Sequence, residues 1–163
     1  MTAPKVIVMV GLPGSGKDFI INRMLKDNPG DYYIASTDAF IEAAATEQGK
    51  TYSEVFDDEI KKATQRMNCE VDEAIRQRRS VIWNQTNMAR KKRVGILSRF
   101  PKDYYKTCVV VTAPTEIHLE RVSARAKATG KHISTGIIMS MQASYIEPST
   151  EEGFDEIVFV HNN

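Results

Sequence analysis

Short apolar runs recur at residues 6–10, 32–35, 81–83, 107–111 and 157–160, separated by polar stretches or by stretches whose apolar residues return at helical spacing. Runs of this length, rich in Val, Ile and aromatic residues, predict strands, and their alternation with helices predicts a parallel α/β sheet. Residues 18–25 read as a helix, and another is expected from Ala39 onward. Residues 52–79 hold no Gly or Pro and place Val55, Ile60, Ala63, Met67, Val71 and Ile75 at helix-like intervals, which predicts one long helix. Ser53 stands at its start with Glu54, Asp57 and Asp58 in the first turn, where negative charge suits the helix dipole. Further helices are expected over 88–100 and over 115–129, the latter ended by Gly130, with Pro101 and Pro114 as punctuation. Residues 147–155, with Pro148 and Gly153, read as a loop.

Between the first strand and the first helix lies Gly11-Leu12-Pro13-Gly14-Ser15-Gly16-Lys17-Asp18, a phosphate-binding loop in all but its last position. The glycines let backbone N–H groups converge on an anion, the following helix adds its positive end, and Lys17 reaches the β- and γ-phosphates. The implied ligand is a nucleoside triphosphate. The candidate nucleotide contacts are Gly11, Pro13, Gly14, Ser15, Gly16, Lys17, Asp18 and Phe19. Asp18 stands where Ser or Thr usually ligates Mg²⁺. It reads either as a charged oxygen ligand for Mg²⁺ or as a carboxylate turned to the helix N-terminus.

The composition narrows this picture only slightly. The length of 163 residues and 42% hydrophobic content suit one domain with a substantial core, and 22 basic against 21 acidic residues give no global field for a polyanion. Cys69 and Cys108 fit no metal spacing and read as reduced core thiols. The apolar N-terminal run is too short to span a bilayer and leads directly into the glycine loop, so a soluble, cytoplasmic protein is expected.

Phosphoryl transfer requires an acceptor hydroxyl oriented by a carboxylate, a metal, and cations over the developing charge. Asp38, at the carboxyl end of the second strand, reads as that carboxylate or as the N-cap of the next helix. Arg121 and Arg125 share a helix face and are positioned to close over the nucleotide. Lys127 and Lys131 extend the charge toward Gly130, a hinge for a lid, although a solvated face explains the same pattern. After the third strand, Thr86 and Asn87 read as acceptor or phosphate contacts. The run Arg90-Lys91-Lys92-Arg93 reads as a seat for backbone phosphates or as the wet side of a helix. Trp83, Tyr104 and Tyr105 suit either base stacking or core packing; His118, His132 and His161 form no metal or catalytic set.

Together these segments resemble the phage polynucleotide 5′-kinase family, among the adenylate-kinase-like P-loop kinases. The likeness runs through Gly11 to Lys17, Asn28-Pro29-Gly30, Asp38-Ala39-Phe40, Thr86-Asn87 with Arg90 and Arg93, and the Arg121/Arg125 pair. The resemblance implies a P-loop NTPase fold, three layers α/β/α, with a five-stranded parallel sheet of order 2-3-1-4-5 and a helical lid around residues 125–140. It also implies an ATP- and Mg²⁺-dependent kinase with Lys17, Asp38, Arg121 and Arg125 catalytic, and Asp38, Thr86, Asn87 and Arg90 toward the acceptor. The expected acceptor is a nucleic-acid hydroxyl, first the 5′-hydroxyl of a polynucleotide. The alternatives are 5-hydroxymethyluracil within DNA, a nucleoside or other small molecule, and a non-catalytic ATP switch. Three positions depart from the family: Asp18 for the loop hydroxyl, Gln85 for an aspartate before Thr-Asn, and Ile41 for an acceptor-side arginine.

Overall fold

The computed structural model describes residues 3–162 apart from 28, 114 and 134, so Asn28 and Pro114 lie outside the described residues. Its five strands are β1 (Lys5–Val10), β2 (Tyr32–Ala35), β3 (Ser80–Trp83), β4 (Tyr105–Thr112) and β5 (Glu156–His161). They pair in parallel in the order β2-β3-β1-β4-β5, the order expected from the resemblance. The helices are α1 (Lys17–Asp27), α2 (Asp38–Gln48), α3 (Tyr52–Arg76), α4 (Arg90–Leu97), α5 (Thr115–Thr129) and α6 (Thr135–Ala143).

Strand alternation sorts β1 between two cores. Val6, Val8 and Val10 pack on one face with Met67 and Val71 of α3 and Ile96 and Leu97 of α4. Met9 packs on the other with Ile20 and Ile21 of α1 and with Val109 and Val111 of β4. A third cluster joins Ile41 and Ala45 of α2 to Val55 and Ala63 of α3. Each fully buried Val or Ile contributes about 1.5–3 kcal/mol, which holds the sheet between its helical layers.

Helix ends depart from the sequence reading where side chains intervene. The N-cap of α3 is Thr51, not Ser53: Thr51 Oγ1 accepts from Glu54 N, and the Glu54 carboxylate accepts from Thr51 N in a capping box. The helix stops at Arg76, three residues early, because Arg78 takes φ 61° to turn the chain into β3. α4 begins at Arg90 because Asn87 is left-handed (φ 49°) and Ala89 is extended. Residues 150–152 of the expected loop form a short 3-10 turn, capped by Ser149. Cys108 is buried as expected, but Cys69 is exposed on α3, so only one of the two free thiols belongs to the core.

Candidate active site

The glycine loop leaves β1 and turns into α1, and its geometry demands glycine where glycine stands. Gly14 and Gly16 take φ 82° and 99°. A Cβ on Gly11 would lie 2.6 Å from Ser15 Oγ and 2.7 Å from the Val111 carbonyl. Gly11 N donates to the Thr86 carbonyl at 3.0 Å, which ties the loop to the turn after β3. Lys17 curls back, its Nζ donating to the carbonyls of Gly11 (2.8 Å) and Leu12 (3.1 Å). Burial lowers its pKa to about 8, opposed by Asp18 and Asp38 and aided by Lys131 and Arg125.

Asp38 opens α2 at the carboxyl end of β2, and its carboxylate turns into the cleft instead of capping the helix. The N-cap position belongs to Thr37, which makes no side-chain capping bond. Tyr52 Oη donates to Asp38 Oδ1 at 2.7 Å, Lys131 Nζ to Oδ2 at 2.7 Å, and Arg125 Nη2 reaches Oδ2 at 3.5 Å. Lys131 also lies over the Tyr52 ring, 4.7 Å from its centroid, and Arg125 is shared with Glu42 at 3.6 Å. Burial alone would raise the Asp38 pKa. The Lys131 ammonium and its hydrogen bond, then Tyr52 and Arg125, outweigh it and hold the carboxyl below its ordinary value. Burial and the bond to Asp38 push the Tyr52 phenol up, so it remains a donor.

Both groups face one cavity of about 610 Å³, lined also by the glycine loop, Lys17, Asp18, Thr86, Arg121 and Arg125. Arg121 Nη1 donates to the Gly14 carbonyl at 3.0 Å. Asp18 Oδ1 accepts from Asn84 Nδ2 at 2.8 Å, so the asparagine after β3 orients it beside the loop. Mg²⁺ is bound by few carboxylates together with substrate phosphates, and Asp18 at the mouth of the phosphate loop fits that donor set. Among the described residues no three His, Cys, Asp or Glu side chains gather to hold a metal unaided.

The structure thus brings together Pro13, Gly14, Gly16, Lys17, Asp18, Asp38, Thr86, Arg121 and Arg125. Other expected contacts lie elsewhere. Gly11 and Ser15 are buried within the loop and are not among the cavity's lining residues, and Phe19 is 59% exposed on α1, outside the cavity. Asn87 is buried, its Nδ2 donating to the Met9 carbonyl at 2.8 Å, so it braces β1 and does not line the cavity. Arg90 is exposed outside the cavity. Arg93 is fully buried: it pairs with Glu152 at 2.7 Å and donates to the carbonyls of Asn87, Met88 and Ile146, which removes it from any phosphate-binding run. Trp83 and Tyr104 pack in the core. Sequence reasoning missed Tyr52, whose only signal is its place at the start of α3 one turn before Phe56.

The AAA domain family AAA_33 matches residues 6–148, which include the loop, Asp38 and the arginine pair. The chain belongs to this AAA domain family. Mouse heterogeneous nuclear ribonucleoprotein U-like protein 2 is 27% identical to this AAA-domain chain over 159 residues, 95% of the chain, and its human counterpart is 26% identical. The chain spans about a fifth of the length of these curated relatives (21%). Among solved structures, a putative kinase from Chloroflexus aurantiacus superposes with a TM-score of 0.72 at 16% identity, over 99% of this chain and 86% of that one. A chain of the Pnkp1/Rnl/Hen1 RNA repair complex gives 0.66 at 21% identity, over 95% of this chain and 47% of that one. A gluconokinase from Sinorhizobium meliloti gives 0.57 at 16%, over 99% of this chain and 84% of that one. At these identities the likeness is one of fold: a P-loop kinase-like α/β fold.

Proposed function

We propose that this protein is an ATP-dependent kinase that moves the γ-phosphoryl group to a hydroxyl. The observation that carries this reading is the Asp38 carboxylate, held by Tyr52 and Lys131 in the same cavity as Lys17 of the phosphate loop. A binding switch needs the loop but has no use for a carboxylate fixed beside it. The loop and Lys17 hold the triphosphate, with Asp18 and the phosphates as the seat of Mg²⁺, which supplies charge neutralisation when bound. Asp38 accepts the hydrogen bond of the acceptor hydroxyl and aligns its oxygen with the γ-phosphorus. Its low pKa suits orientation more than early proton removal, as a loose transition state requires, and the proton passes to it as the new P–O bond forms. For that, Lys131 and Arg125 swing from Asp38 toward the phosphoryl oxygens, where Arg121 joins them. Residues 125–140 then act as a lid, already joined to α3 by the bond from His132 N to Ser53 Oγ at 2.9 Å.

A nucleic-acid acceptor is a second reading, supported by likeness to a chain of an RNA repair complex. The test is incubation with γ-labelled ATP, Mg²⁺ and three acceptors: a 5′-hydroxyl oligonucleotide, DNA with internal 5-hydroxymethyluracil, and a mixture of nucleosides and other alcohols. Label in an acceptor is the expected result. Label released only as inorganic phosphate overturns the kinase reading.

A further inference from the structure

Beyond Asp38 the cavity changes character. α3 contributes Tyr52, Phe56 and Ile60 from one face, at i, i+4 and i+8; Ile137 and Met141 share a face of α6, and Ile133 adds to them from ahead of that helix. Phe56 is 36% and Ile137 50% exposed, so apolar surface is presented to the cavity interior, as in sites that take up a ligand's apolar body. Among the lining residues the cationic Lys17, Arg121 and Arg125 rest on loop carbonyls and on Asp38, and Lys131, bonded to Asp38, covers the Tyr52 ring where the apolar stripe begins, leaving Phe56 and Ile60 beyond it. The lining residue next to Phe56 is the acidic Asp57. A chain of phosphodiesters needs cations along its path, and here it meets hydrocarbon and a negative charge.

We infer that the acceptor is an uncharged alcohol carried on a flat, largely apolar ring system, and that the cavity disfavours polyanionic acceptors. This rests on the kinase reading above. The ring lies against Phe56 and between the two apolar stripes, with its hydroxyl at Asp38. The bond from the γ-phosphorus to the bridging oxygen breaks with its electron pair leaving on ADP. The acceptor oxygen forms the new P–O bond, and its proton goes to Asp38.

Binding separates this inference from the chemistry. With a non-hydrolysable ATP analogue and Mg²⁺ present, equilibrium dialysis compares a panel of uncharged ring-bearing alcohols, thymidine among them, with a short 5′-hydroxyl oligothymidylate. At least one uncharged alcohol should bind about tenfold more tightly than the oligonucleotide. Phe56→Ala and Ile137→Ala, both at exposed positions, should each weaken that alcohol by about tenfold, the scale of a lost apolar contact in a pocket. Asp57→Lys should narrow the gap to the oligonucleotide. Oligothymidylate binding as tightly as every panel member, or indifference to both apolar substitutions, overturns the inference even where label transfer to the oligonucleotide upholds the kinase. Selective alcohol binding without transfer upholds the inference about the cavity and leaves the failure with the kinase reading.

Discussion

Asp38 and Lys17 set opposite pH demands on the same cavity. Asp38 is held below its ordinary 3.8, so it is ionised across the neutral and mildly acid range, and transfer should not fall until the pH drops below that value. Tyr52→Phe keeps the ring beneath Lys131 but removes one of the bonds that lower Asp38. We expect kcat to fall about tenfold, equivalent to about 1.4 kcal/mol, with the KM for ATP unchanged and the acid limb moved to higher pH. A pH–rate profile measures all three. Lys17 behaves in the opposite sense. Between about 8 and 10.5 the unfolded chain holds a proton that the folded chain has released, so the ligand-free fold gains stability as pH rises through that window. Below about 8 the buried ammonium is a fixed penalty on the empty protein. Lys17→Met should therefore raise the melting temperature of the ligand-free protein at neutral pH and flatten its alkaline slope. A bound triphosphate restores the charged form, so ATP affinity should weaken as pH rises past about 8, with proton uptake on binding. Calorimetry in buffers of different ionisation heat detects that uptake.

At the scale of elements, what the sequence disclosed was what periodicity and glycine chemistry disclose. The strands were legible because they are short apolar runs, and the phosphate loop because its glycines have a backbone reason. The start of α3 at Tyr52 agrees with the helical stretch read from residue 52, but its cap is Thr51 and not Ser53: both are good caps on paper, and only Thr51 has Glu54 three positions on. In the basic run Arg90, Lys91 and Lys92 are exposed, as the wet side of a helix would be, and only Arg93 departs from both readings. Arg93 lies on α4 beside residues that are wet, but it reaches Glu152, far along the chain, and pairing at that distance leaves no local pattern. That pair, fully buried and bonded to the carbonyls of Asn87 and Met88, fixes the turn that supports the phosphate loop. Glu152→Ala should cost about 3–5 kcal/mol in denaturant unfolding, because it strands a buried guanidinium. Replacing both partners by apolar residues should recover much of the loss. Tyr52 was invisible because its hydroxyl meets Asp38 only once α2 and α3 have packed.

Across the molecule, a nearly balanced chain of net charge +1 gathers cations around the glycine loop and Asp38 and apolar side chains beyond them in one cleft. The sheet order sets this arrangement: β1 and β2 flank β3, so the loop after β1, the carboxylate after β2 and the asparagine after β3 open on the same edge. Among the described residues no helix is long and apolar enough to cross a membrane. The fold is shared with a gluconokinase and with a chain of an RNA repair complex, so the fold alone does not choose the acceptor, and on the proposed kinase reading the choice falls to the side chains around Asp38. The most direct test of the central claim compares wild type with Asp38→Asn in a single turnover of γ-labelled ATP, with an accepted alcohol present and ATP binding measured alongside. Transfer to the alcohol should fall by about a thousandfold, of the order of the loss of a positioned acid–base group, while ATP affinity changes little. Transfer by Asp38→Asn at the wild-type rate would contradict the account.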